Sequence, residues 1–243
     1  MTPSMPLLEL KSVQSAYGSS QVLFDMNLTI FPGQVATLLG RNGMGKTTTV
    51  KAITGWNPIH TGEISFQGAA IHGSTPERIA GAGVALVPEG RRIFLNLTVR
   101  ENLEAFARPP RGDKRGKGAG WTVDRVWAQF PSLARRASNF GNQLSGGEQQ
   151  MLAIGRALLR NGQLLIIDEA TEGLAPLIRE EIWSCLMKLK GEGMAILLID
   201  KYLEPLLKVG DRHYIIDRGR VVWSGDSAAL AGATDVWEKY VGV

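Results

Sequence analysis

Cysteine is almost absent from this chain. Cys185 is the one cysteine in 243 residues, so no internal disulfide framework can form. It falls within an apolar helical pattern and reads as a core filler. Histidine is scarce as well: His60, His72 and His213 are the full set. That leaves no basis for a Cys/His zinc cluster. Long apolar runs are missing too. Stretches such as Ile79–Pro88 and Gly193–Ile199 fall well short of the ~18 residues that a membrane span requires. The N-terminus lacks a basic segment followed by an apolar one, and Glu9 interrupts it. No signal peptide is therefore expected, and a cytosolic location is.

A large excess of either charge is lacking. The chain has 27 Lys+Arg against 23 Asp+Glu, a net +4, with a pI of about 9.3. Arg108, Arg111, Lys114, Arg115 and Lys117, offset by Asp113, account for that whole excess. The rest of the chain is neutral, so a nucleic-acid-binding face has little support. The Gly/Pro-rich segment Arg108–Lys117 reads as a mobile loop. It is either simply solvated or in contact with anionic head groups or a partner's acidic loop.

Glycine is abundant. Its 29 residues are about 12% of the chain, against an ordinary ~7%. The length suits one large domain, with or without a smaller lobe, and a core that needs no disulfide or structural metal. Val35–Leu39, Leu164–Asp168 and Ala195–Asp200 are apolar runs of the kind that form parallel strands buried on both faces. Gly62–Phe66 and Gly83–Val87 read as further short strands. Tyr214–Ile216 and Val221–Trp223 read as a hairpin. Helical patterns lie between the strands, as in Pro176–Lys190 with Ile178, Ile182, Leu186 and Leu189 on one face. The alternation predicts an α/β doubly wound sheet. Residues 90–144 are richer in Arg and in helical patterns and read as an inserted helical lobe.

Gly40, Arg41, Asn42, Gly43, Met44, Gly45, Lys46 and Thr47 match G-x-x-x-x-G-K-[ST] between an apolar strand and a helix. Successive backbone N–H groups and a helix N-terminus there attract phosphate. Lys46 is placed to reach the β- and γ-phosphates, and the Thr47 hydroxyl to ligate Mg²⁺. Asp168 ends a buried strand, where an unpaired carboxylate is costly. A Mg²⁺ shared with Thr47 removes that cost. Glu169 is then placed to orient or deprotonate an attacking water. Ser145 and Glu148 form an S-x-x-E capping box. The two glycines behind it, Gly146 and Gly147, weaken the first turn and leave bare N–H groups suited to a phosphate.

Gly40–Thr47, Leu144–Gln150 and Leu164–Glu169, in this order and spacing, resemble the ATP-binding cassette (ABC) ATPases over almost the whole chain. The resemblance implies a P-loop NTPase fold with a RecA-like sheet core: an ATPase domain over 7–239 holding a helical subdomain at 90–160. It implies a head-to-tail dimer in which each ATP and Mg²⁺ lies between one subunit's phosphate loop, including Thr48, and the other's Ser145, Gly146 and Gly147. Tyr17 corresponds to the aromatic that stacks on adenine; a core tyrosine is the other reading. Val87–Phe94, Leu97–Leu103, Gln149–Arg156 and Thr171–Pro176 look like one subclass. These are ATPase subunits of importers for branched-chain amino acids and related small amides, in which the loop residue near Mg²⁺ is Glu, here Glu89.

The resemblance also implies permease partners, a second cassette in a homo- or heterodimer, and a peripheral position on the inner face of the membrane. Two departures stand out. Lys201 occupies the place of a histidine that reaches the γ-phosphate, and is either a phosphate ligand or a surface lysine. The Ala170–Ala175 loop lacks the usual Pro and terminal Asp. ABC ATPases for other cargo, such as lipid or polysaccharide export, and soluble non-transport ABC ATPases remain alternatives.

Overall fold

The computed structural model describes residues 5–109, 120–169 and 171–242. Most of the Arg108–Lys117 segment lies outside them. Ten strands form one sheet: β1 (Leu8–Tyr17), β2 (Ser20–Ile30), β3 (Val35–Leu39), β4 (Ile59–Phe66), β5 (Ala69–Ala70), β6 (Val84–Val87), β7 (Leu164–Asp168), β8 (Ala195–Ile199), β9 (Arg212–Asp217) and β10 (Arg220–Gly225). Their spatial order is β5-β4-β1-β2-β10-β9-β3-β8-β7-β6. The helices are α1 (Lys46–Ile53), α2 (Pro76–Ala82), α3 (Val99–Glu104), α4 (Val123–Gln129), α5 (Pro131–Arg135), α6 (Gly146–Leu158), α7 (Pro176–Gly191), α8 (Leu203–Val209), α9 (Ser227–Gly232) and α10 (Thr234–Tyr240).

The centre of the sheet is parallel: β9, β3, β8, β7 and β6 pair in one direction. Every residue of β3, β7 and β8 is buried. Alternation divides them between two cores. Val35, Leu39, Leu165, Ile167, Ile196 and Leu198 face the core shared with α3–α8. Ala36, Leu38, Leu164, Ile166, Ala195, Leu197 and Ile199 face the other. Strands covered on both sides need no polar alternation, which is why they read as plain apolar runs.

The doubly wound expectation covers only this half. β1, β2, β4 and β5 form an antiparallel arm that extends the sheet. Register shifts interrupt β1 and β2 near Val13 and Ser15, and Ser12 has a φ of +45°. Bulges of this kind break the period of two that marks a half-buried strand. The C-terminal hairpin forms as expected, with β9 and β10 antiparallel. Helices α3–α6 all lie between β6 and β7 in the chain. Cys185 is fully buried in the larger core, and burial pushes its thiol up to about 12.

Candidate functional site

The phosphate loop connects β3 to α1. Gly40, Gly43 and Gly45 have φ of +150°, +80° and +110°, a region that side chains disfavour. A Cβ on Gly40 would also lie 2.4 Å from the Ile216 carbonyl oxygen. Gly45 precedes α1 without a side-chain cap, which leaves helix-terminal N–H groups free for an anion. The turn between β9 and β10 braces the loop from beneath, as the Gly219 N–H donates to the Met44 carbonyl at 2.9 Å. Lys46 Nζ donates to the carbonyls of Gly40 (2.8 Å) and Arg41 (3.0 Å). Burial holds its pKa below the usual lysine value, against the pull of Glu169, Asp168 and Glu172. Arg41, Asn42 and Gly43 are exposed, Met44 and Thr47 half-buried, and Thr48 buried.

Asp168 ends β7 at 2% exposure. Desolvation raises its pKa, opposed by a hydrogen bond from Thr47, while nearby Glu89 raises it further. Its Oδ1 is buried and has no hydrogen-bond partner among the described residues. A buried carboxylate oxygen seldom goes unpaired, and the Thr47 hydroxyl and the Glu89 carboxylate both act on this group. These hard oxygen donors fit a small divalent cation that takes its remaining ligands from phosphate and water. Among the described residues no group of three or more His, Cys, Asp or Glu is placed to hold a metal ion.

Glu169 follows with a φ of +60°, uncommon for a side chain larger than glycine. Its N–H is held by the Ile199 carbonyl at 3.0 Å. Burial, then the carboxylates of Glu172, Glu89 and Asp168, push Glu169 up to about 7. That places it near neutrality, where a general base works best.

Lys201 is accessible, its side chain 55% exposed, and its Nζ pairs with Glu172 at 2.9 Å. This contact raises the Lys201 pKa. Tyr17 is 44% exposed, which removes the core-tyrosine reading. The Lys51 ammonium lies 5.4 Å from its ring centroid. The Ser145 turn opens α6. Ser145 Oγ accepts from Glu148 N, and the Glu148 carboxylate accepts from Ser145 N at 2.8 Å, so the expected capping box is present. A Cβ on Gly146 would meet the Arg91 guanidinium, and one on Gly147 would lie 2.5 Å from Ile178.

Glu172 and Asp200 escaped the reading of the motifs. Asp200 is buried, and its Oδ2 accepts from the Thr171 N–H (3.0 Å) and hydroxyl (2.7 Å). Its Oδ1 accepts from Lys201 N at 2.7 Å. It thereby ties the segment after Glu169 to the end of β8. The signal was available, because an acid closes the apolar run Ala195–Asp200 just as Asp168 closes its own.

A family model described as ABC transporter matches residues 23–172. The chain belongs to the ABC transporter family. It is 36% identical, over 97% of its length and all of the relative's, to the high-affinity branched-chain amino acid transport ATP-binding protein BraG of Pseudomonas aeruginosa. It is 32% identical to the probable branched-chain amino acid transport ATP-binding protein LivF of Archaeoglobus fulgidus, covering 92% of this chain and 94% of that one. Among solved structures, a nucleotide-free ATP-binding cassette superposes with a TM-score of 0.81 at 22% identity, over 95% of this chain and 96% of that one. As an ABC ATPase, this chain is an ATP-binding, ATP-hydrolysing subunit. Among its described residues no helix is long and apolar enough to cross a membrane.

Proposed function

We propose that the chain is one of two ATPase subunits of an importer for branched-chain amino acids or related small amides, working on the cytoplasmic face beside separate permease subunits. The end-to-end similarity to BraG supports the cargo class. The orphaned Asp168 Oδ1 beside Thr47 is the observation that carries the nucleotide site. Thr47, Asp168 and Glu89 would hold Mg²⁺, which supplies charge neutralisation of the β- and γ-phosphates.

Gly40 to Thr48 cradle the phosphates with backbone N–H groups, and Lys46 exchanges its two carbonyl partners for phosphate oxygens. Tyr17 stacks on adenine. The turn at Ser145, Gly146 and Gly147 closes the site from the partner subunit. Glu169 takes a proton from the water that attacks the γ-phosphorus, in line with the departing ADP oxygen. Lys201 leaves Glu172 to contact the γ-phosphate as a point charge. The lobe at 90–160 moves within the 7–239 domain as the dimer closes.

Glu169→Gln is expected to keep ATP binding and cut turnover by ~10²–10⁴; unimpaired phosphate release overturns the assignment. Lys201→Ala is expected to weaken both affinity and turnover, and unchanged values make Lys201 a surface residue. A second reading, export of another cargo, is supported by a 35% identical Nod factor export ATP-binding protein of Rhizobium johnstonii, matched over 92% of this chain. Pull-down of the permease separates the two.

A further inference from the structure

Among the described residues β2 and β10 pair at one register position, Arg220 with Asp25. Past it the strands part, and one side chain spans the gap between the end of β2 and the start of β9. Tyr214 is buried, and its hydroxyl donates to the Thr29 carbonyl (2.8 Å) and accepts the Thr29 N–H (3.2 Å). Thr29, Phe31, Gln34, Arg212 and Tyr214 line a half-open cavity of about 340 Å³ there. Small-molecule sites span roughly 300–1,000 Å³ and combine apolar walls with a few placed polar groups.

The walls are fixed by the fold. The turn after β2 is closed from both ends: Phe31 N donates to Gln34 Oε1 (3.0 Å), and Gln34 N to the Phe31 carbonyl (3.1 Å). The Gln34 carbonyl accepts from Ile196 N at 3.0 Å, which ties the turn to β8. Phe31 is nonetheless 37% exposed. With its Oε1 taken, Gln34 offers Nε2, which has no hydrogen bond among the described residues.

Arg212 lacks a counter-charge. Its Nη2 donates to Ser224 Oγ at 2.8 Å, and its guanidinium carbon lies 5.8 Å from the Tyr214 ring centroid. The acids near it in chain or register are engaged elsewhere. Asp211 pairs with Lys190 at 2.6 Å and accepts from Val35 N at 2.8 Å. Glu9, opposite Thr29 in the sheet, pairs with Lys11 at 3.0 Å. A guanidinium carries five N–H donors and stays charged, so Arg212 has donors left for a ligand. The lining thus holds a cation, an amide donor and two rings, and no acid. Such a fork takes a carboxylate through two parallel hydrogen bonds, and the rings suit an apolar body behind it. An ammonium group would meet no acid among the lining residues.

We infer that this pocket, between the end of β2 and the start of β9, binds a small organic carboxylate with an apolar body, held by Arg212 and Gln34 against Phe31. The phosphate loop lies at the other end of β3, roughly 16 Å along the strand, so the two anion sites are distinct.

Benzoate and benzamide share a shape and differ in charge, which makes them suitable probes. Their binding to the full chain is titrated by calorimetry, with and without ADP. Benzoate is expected to saturate one site whether or not ADP is present, and benzamide to bind at least tenfold more weakly. Arg212→Gln is expected to lower benzoate affinity about tenfold and leave benzamide within twofold, with Arg212→Lys in between. Phe31→Ala is expected to weaken both probes several-fold. Phe31 is exposed, so this variant keeps the test decisive even where Arg212→Gln does not fold. ADP binding stays within twofold in every folded variant. No saturable benzoate binding overturns the site. So does binding that ADP abolishes, that benzamide matches, or that Phe31→Ala and the folded Arg212 variants leave unchanged.

Discussion

Glycine does different work in the phosphate loop and in the Ser145 turn. In the loop, Gly40, Gly43 and Gly45 provide backbone angles that side chains disfavour. In the turn, Gly146 and Gly147 are ordinary helical residues of α6, and the second is required because Ile178 of α7 fills the space beside it. The first region is a bent backbone braced by a sheet. The second is a regular helix start whose smallness lets neighbours approach. A glycine-rich stretch thus has two physical origins, and they respond differently to mutation.

The largest expected effect is Gly40→Ala. The strained angle and the clash with the Ile216 carbonyl together cost about 3–5 kcal/mol. Trimming the side chain, as in Ile216→Ala, is expected to restore nothing, because the obstacle is backbone. Gly147→Ala is next, at about 1–3 kcal/mol of overpacking against Ile178. Here the double variant with Ile178→Ala is expected to recover most of the loss. Denaturant unfolding of both double-mutant cycles checks the contrast, and equal rescue in the two regions would erase it.

Acid distinguishes the regions in another way. His213, on β9, is fully buried and accepts the Thr37 hydroxyl proton at Nδ1 (2.7 Å). Its Nε2–H donates to Ser227 Oγ (2.8 Å), whose own proton is spent on the Gly210 carbonyl. Burial pushes His213 down to about 4, against Asp211 and Asp226 and aided by Lys190 and Arg212. The unfolded chain therefore binds the proton more readily. Stability from this site is complete above about 6.5 and declines by up to ~1.4 kcal/mol per pH unit toward 4. Thr37 lies in β3, the strand that feeds the phosphate loop. Hydrogen exchange is expected to show β3 and β9 losing protection before α6. The smallest effect is Ser145→Ala, about 1 kcal/mol for the lost cap, confined to the first turn of α6.

The parallel strands and the phosphate loop were legible because burial on both faces and tight backbone turns leave direct traces in composition. Leu164–Asp168 and the β9–β10 hairpin follow from local pattern alone. β1 and β2 left no clean trace, since their bulges interrupt the alternation. Asp200 carried the same signal as Asp168, but its role depends on Thr171, 29 residues away. Arg91 and Glu172 carried no local signal, because Gly146 comes near Arg91 only when α6 packs, and Lys201 near Glu172 only when β7 and β8 pair.

By itself the sequence determined the order of motifs, the capping box at Ser145 and the absence of any cysteine framework. These depend on residues within a turn or a strand of one another, where chain connectivity enforces proximity. Tertiary structure decided which acids crowd Glu169, that Asp168 keeps an oxygen unpaired, and that Lys201 rests on Glu172. Those outcomes are set by burial and by charges converging from separate elements, and no local pattern encodes how deeply a group is buried or which charges it meets.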